Sequence, residues 1–180
     1  MMFENAYKYL GLQYAKIQFK SDIDQVQMFT EFMTGAKSAL IVLPVGYEEA
    51  NIASNAIRAH RKRLSHLHLT VVHSGTRATS LVDFPKCEVI RTIPTDVNRF
   101  FLPSKPLLQR VLVRPYDVAV DMNLDFVLHT AYICKASRAK VRVGLARGAS
   151  DVFFNVSLNL QPRRTPEEVY DAYANSLAMF

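Results

Sequence analysis

The residues able to do chemistry in this 180-residue chain sit mostly in short turns that follow apolar runs. Gly46-Tyr47-Glu48-Glu49-Ala50-Asn51 follows the run Ala39-Leu40-Ile41-Val42-Leu43. Backbone N–H groups at the head of a helix starting there would face an anion, and Glu48 or Glu49 would stand where a general base meets a bound hydroxyl. The same two carboxylates equally suit the first turn of a helix, where the macrodipole stabilises them without any ligand. Asp121, Asn123 and Asp125 follow a second run and could hold sugar hydroxyls or a metal, or cap a helix beginning near Phe126. Their Asp-x-Asn-x-Asp spacing lacks the downstream Gly and Glu of a calcium loop. His129 falls in the first turn of that helix. Of His60, His66, His68 and His73, only His73 lies at a strand's carboxyl end, and no nucleophile-base-acid order emerges from them.

Arginines add positive charge near the same turns. Arg77 follows the exit of one strand, while Arg138, Lys140, Arg142 and Arg147 surround another. Such charges grip phosphate or carboxylate, or form a solvated rim. The ligand-binding candidates are Gly46, Tyr47, Glu48, Asn51, Arg77, Asn123, Asp125 and Arg142, with Glu49 as candidate base. Neither Gly-x-Gly-x-x-Gly nor Gly-x-x-x-x-Gly-Lys-Ser/Thr occurs, so no nicotinamide or P-loop nucleotide cofactor is expected, and no metal.

These residues need a scaffold, and hydrophobic periodicity supplies one. Ala39 to Leu43, bounded by Pro44 and Gly46, reads as a central strand buried on both faces. Ala50, Ala53, Ala56 and Ile57 form the apolar stripe of a helix running to Leu64. Further strands are expected at Leu67–Val72, Cys87–Arg91, Tyr116–Asp121 and Lys140–Leu145. Helices are expected at Leu107–Val113 and Phe126–Ala136, with a loop from Pro94 to Pro106. Thr165-Pro166-Glu167-Glu168 carries the cap, first-turn proline and early acids of a final helix. Residues 1–37 read as a helical extension, with a stripe of Ala6, Tyr9, Leu10, Tyr14 and Ile17, and a second helix from Ser21 or Asp22 through Phe32. Residues 38–180 read as one α/β domain, a doubly wound, mostly parallel Rossmann-like sheet of about five to six strands with helices on both faces. Ligands in such a sheet sit beyond the strands' carboxyl ends, here residues 44–51, 73–77, 92–99, 121–129 and 144–151.

Composition narrows the function classes. The chain is 49% hydrophobic and 21% charged, as in a soluble globular protein rather than a disordered or polytopic one. No run approaches 18 apolar residues, so neither a signal peptide nor a spanning helix is expected. Cys87 and Cys134 lack metal or Cys-x-x-Cys spacing and read as reduced, buried thiols. Residues 1–37 are charge-balanced, so the net +6 belongs to the remainder and favours an anionic partner, whether a phosphorylated sugar, a nucleotide, an acidic lipid headgroup or nucleic acid, or else marks a solvated basic surface. The basic stretches lack the interleaved aromatics that stack nucleic acid, which is not expected as a partner.

The ordered set of pieces resembles the N-terminal half of the lipopolysaccharide heptosyltransferases, glycosyltransferase family nine of the GT-B architecture. The resemblance is carried by Ala39–Leu43; Leu67–Val72; Tyr116-Asp117-Val118-Ala119-Val120-Asp121; Ser137-Arg138-Ala139-Lys140-Val141-Arg142-Val143-Gly144; and Phe153-Phe154-Asn155. It covers roughly residues 38–178. It implies an acceptor-side domain of a transferase that moves a heptose from an ADP-sugar onto lipopolysaccharide core at the cytoplasmic face of the inner membrane, with at most peripheral membrane contact. A Gly-Asp pair supplies that family's base, and the matching positions here are Glu48 and Glu49. The family's second, nucleotide-sugar-binding domain has no counterpart in these residues. The expectation is therefore a glycosyltransferase-like protein without autonomous transferase activity, which binds a sugar-phosphate or lipopolysaccharide-core acceptor and pairs with a donor-binding chain or with itself. The alternative is a non-catalytic, ligand- or protein-binding Rossmann-like domain.

Overall fold

The structure is a computed structural model and describes residues 2–22, 35–75, 86–159 and 165–177. Its strands are β1 (Ser38–Val42), β2 (His68–Ser74), β3 (Cys87–Thr92), β4 (Val118–Asp121), β5 (Val141–Leu145) and β6 (Val156–Leu158). The α-helices among the described residues are α1 (Met2–Gln18), α2 (Tyr47–Ala59), α3 (Arg61–Leu64), α4 (Lys105–Val111), α5 (Leu128–Ala136) and α6 (Pro166–Leu177). All strands pair in parallel, in the order β3-β2-β1-β4-β5-β6. This is the doubly wound Rossmann order, with the Ala39–Leu43 run at its centre. β6 is the strand that periodicity does not reveal, because three residues are too few to display a period.

Alternation along β1 divides the core in two. Ala39, Ile41 and Leu43 face the layer that contains α2 and α6, where Ala53, Ile57, Tyr170 and Tyr173 close the packing. Leu40 and Val42 face the opposite layer, built from α4 and α5 with Ala15 of α1. Fully burying each such Leu or Ile contributes about 1.5–3 kcal/mol, so β1 cannot slip by one residue without exchanging the two sets.

Helix boundaries follow local chemistry. The expected helix through Leu64 breaks at His60 into α2 and α3. α4 starts two residues before the expected Leu107, because Ser104 caps it, accepting from the Leu107 N–H, and Pro106 is tolerated in a first turn. At α6 the Thr165 hydroxyl accepts from the Glu168 N–H while the Glu168 carboxylate accepts from the Thr165 N–H, the reciprocal box the sequence suggests.

The apolar stripe of α1 is not the side that packs on the body of the domain. Tyr9, Leu10, Tyr14 and Ile17 are exposed, and the helix instead docks through Gly11 and Ala15. A Cβ on Gly11 would lie 2.0 Å from the Phe100 carbonyl oxygen, so close approach of the backbone, not apolar bulk, decides which face turns inward. Tyr132 on α5 then donates to the Gln18 side chain at 2.7 Å. The second N-terminal helix expected through Phe32 lies almost wholly outside the described residues.

Candidate functional site at the strand carboxyl ends

Chain reversal opens the sheet between β1 and β4: β1 leads into α2 on one face and β4 into α5 on the other. The loops leaving these strands are nonetheless tied together. Asn123 accepts from the Val45 N–H at 3.0 Å, and Ser74 at the end of β2 donates to the Val45 carbonyl at 3.0 Å. A cleft opens on either side of this tie. One, about 210 Å³, is lined by Asp121, Asn123, Asp125, Phe126, Arg147 and Phe154, among others. The other, about 240 Å³, is lined by residues that include His73, Ser74, Thr92, His129 and Thr130. Most of that space is open to solvent, and the enclosed part of each, about 10 Å³, has room for no more than a water-sized group.

Asp121 anchors the site from below. It is buried, and one carboxylate oxygen accepts from both the backbone N–H and the side-chain amide of Asn123, while Thr130 lies 2.8 Å from the other. Burial pushes its pKa up to about 6, against the opposing pull of the Asn123 and Thr130 hydrogen bonds. Burial pushes His129 down to about 4, so it is neutral, and its Nδ1 has no hydrogen-bond partner. His73 is also lowered, first by burial and then by nearby Arg91, against a backbone hydrogen bond at Ser74. The β1–β2 cleft therefore presents neutral imidazoles and hydroxyls. The β4–β5 cleft presents the exposed cation Arg147 beside the exposed carboxylate Asp125.

Glu49 occupies the third position of α2, and its carboxylate turns back toward the helix head. A Cβ on Gly46 would lie 3.1 Å from Glu49 Oε2. Beneath it, the Tyr170 hydroxyl is fully buried without a partner and is held protonated, first by burial and then by Glu49 and Asp121. The carboxylate thus combines a helix-dipole position with a place on the rim of the switch point.

Two solved structures share this architecture. E. coli heptosyltransferase WaaC with ADP superposes with a TM-score of 0.58 at 14% identity, over 77% of this chain and 46% of that one. A family 9 glycosyl transferase from Veillonella parvula DSM 2008 superposes with a TM-score of 0.56 at 13% identity, over 80% of this chain and 42% of that one. The chain shares its fold with part of each of these two transferases. This chain spans less than half the length of either enzyme. No protein-family model matches the sequence, and no curated protein does.

Within this glycosyltransferase fold, the candidates from the sequence separate into groups. Gly46, Tyr47, Glu48 and Glu49 form the loop and first turn after β1, with Asn51 half-buried in the same helix. Asn123 and Asp125 line the β4–β5 cleft. Neither of them caps α5, whose N-cap, Val127, makes no side-chain cap hydrogen bond. Arg77 lies outside the described residues. Arg142 is not on the rim: it is the second residue of β5, at the strand's amino end, 4% exposed. Its guanidinium donates to the carbonyls of Phe153 and Ala139 at 3.0 and 2.7 Å, which makes it a framework residue. His60 meets Asp171 of α6, and His66 and His68 are exposed away from the clefts. Among the described residues no three His, Cys, Asp or Glu side chains gather to hold a metal. Burial pushes the Cys87 thiol up to about 11, with Glu88 adding to it, and burial raises the Cys134 thiol as well. The reading by strand ends misses Thr130, one residue beyond the expected 121–129 window. Its signal was one helical turn away, since a polar residue in the first turn after a strand can reach back to that strand's last carboxylate.

Proposed function

We propose that this chain supplies the acceptor-binding half of a glycosyltransferase of the heptosyltransferase kind, acting in cell-envelope lipopolysaccharide assembly on the cytoplasmic side of a membrane. The nucleotide-sugar donor is bound by a unit outside the described residues. The observation that carries this reading is a carboxylate, Glu49, on the first turn after β1 at the carboxyl end of the sheet, in a fold shared with two glycosyltransferases. Arg147 grips the phosphate of a sugar-phosphate acceptor, and Asp125 accepts from its hydroxyls. Glu49 swings out from the helix head and takes the proton of the attacking hydroxyl as its oxygen bonds the donor's anomeric carbon; the bond from that carbon to the nucleotide breaks with its electron pair. Among the described residues no helix is long and apolar enough to cross a membrane.

Calorimetric titration with ADP, an ADP-sugar and a phosphorylated heptose tests this division of labour. Binding of the phosphorylated heptose with little or none of ADP is the expected result. Failure of the heptose phosphate to bind would overturn it and leave the alternative, a non-catalytic binding domain, which the inward turn of the Glu49 carboxylate favours.

A further inference from the structure

One face of α1 carries Phe3, Tyr7, Leu10, Tyr14 and Ile17, spaced four, three, four and three residues apart, with Tyr7 at its inner edge, its ring edge-on to Phe100 of the body at 5.6 Å. All five are between 36% and 81% exposed, although α1 itself is docked to the body through Gly11 and Ala15 on another side of the helix. Alternating steps of four and three place these side chains along one line of a helix, the seam by which a second helix packs. From the seam, we infer that α1 pairs with α1 of a second copy of this chain.

Three features select that occupant. The seam is nearly symmetric about Leu10: Phe3 and Ile17 stand seven residues to either side, Tyr7 three before and Tyr14 four after. Two copies crossing antiparallel at Leu10 therefore bring Phe3 against the second copy's Ile17 and Tyr7 against its Tyr14, the self-complementarity that a two-fold interface requires. Charge agrees, because Glu4, Lys8 and Lys16 all lie roughly 100° or more around the helix from the seam's midline. The seam itself contains no charged residue of α1, with Arg99 of the body 5.8 Å from the Tyr7 ring at its inner edge, and the lysines point away from any surface the seam lies upon, unlike a helix built for anionic lipid. Five side chains of this size and exposure offer on the order of 600 Å² per copy, close to the ~800 Å² per partner of a stable dimer.

Sedimentation velocity over a range of concentrations tests the pairing, with Leu10→Glu as the variant. Leu10 is exposed in the monomer, so unchanged circular dichroism and melting will confirm that the variant folds. Wild type is expected to sediment as a dimer, and Leu10→Glu, which sets two like charges face to face at the axis, as a monomer or with association at least about tenfold weaker. A wild-type monomer at every concentration overturns the inference, as does a dimer indifferent to Leu10→Glu. A monomer that co-sediments with phosphatidylglycerol vesicles overturns it in favour of a membrane surface.

Discussion

Asn123 accepts a hydrogen bond from the backbone N–H of Val45 at 3.0 Å, joining the loop after β4 to the loop after β1 across the point where the sheet reverses direction. The crevice that would otherwise run between the two strands becomes two clefts with a shared wall. Asn123→Ala removes that wall, leaves a part-buried N–H unpaired and deprives Asp121 of its amide donor. The expected cost is about 1–3 kcal/mol, read as a lower urea midpoint at unchanged slope.

Asp121 gives the fold an unusual pH response. Its folded pKa of about 6 lies above the value of 3.8 for an unperturbed carboxyl, so the native state binds the proton more tightly than the unfolded chain. Stability contributed by this group is full below the unfolded value and declines as pH rises from about 4 through 6. Asp121→Asn keeps an oxygen toward Asn123 and can donate to the Thr130 hydroxyl, which in turn donates to the Val127 carbonyl at 2.9 Å. The variant is expected to be more stable at pH 7 by on the order of 1–3 kcal/mol and to lose the decline between pH 4 and 6. Thermal melts across that range for both proteins check the sign.

Two glycines carry opposite expectations from local propensity and from packing. Gly11→Ala should favour a helix by roughly 1 kcal/mol on intrinsic grounds, yet its methyl would collide with the Phe100 carbonyl. α1 is expected to undock, with amide exchange in residues 2–18 accelerating while the sheet stays protected. In Gly144→Ala the new Cβ would lie 2.5 Å from the Phe154 ring. That ring belongs to the core on the α5 side, so global melting should fall, with a loss of about 1–3 kcal/mol.

Asp117 is a framework carboxylate although it sits in the Tyr-Asp pair that carries the family resemblance. One of its oxygens accepts from the Lys37 N–H, the Ser38 N–H and the Ser38 hydroxyl at 2.8, 3.1 and 3.0 Å, fastening the start of β1 to β4. Asp117→Ala should cost about 2–3 kcal/mol, and Asp117→Asn, which retains an acceptor oxygen, distinctly less. Chemical denaturation of the pair measures the difference.

The sheet was legible because burial on both faces leaves continuous apolar runs such as Ala39–Leu43, and periodicity reports burial directly. What it does not report is how closely backbones approach. The apolar stripe of α1 does not say which surface the helix meets, whereas Gly11 and Ala15, small residues with almost no hydrophobic signal, choose the contact. The resemblance-bearing residues show a second limit. Arg142, Asn155 and Ser137 recur as a pattern that could suggest a ligand site, yet all three serve the turn and loop around β5. Asn155 accepts from the Arg142 N–H and donates to the Lys140 carbonyl, and Ser137 accepts from the Ala139 N–H. A motif identifies a fold as readily as it identifies a site, and only the strand end on which a residue falls separates the two. By that criterion Glu49, Asn123 and Asp125 belong to the rim, and Arg142 does not.

On the proposed function, the carboxyl end of the sheet, with Arg147 at its edge, receives a phosphorylated sugar. The most direct measurement compares the dissociation constant of a phosphorylated heptose for wild type, Arg147→Ala and Arg138→Ala, the last an exposed arginine just ahead of the amino end of β5. The account predicts weakening of about tenfold or more for Arg147→Ala, as expected for loss of a charge-assisted contact, with Arg138→Ala close to wild type. Equal affinity in all three proteins, or an equal loss in both variants, would contradict it.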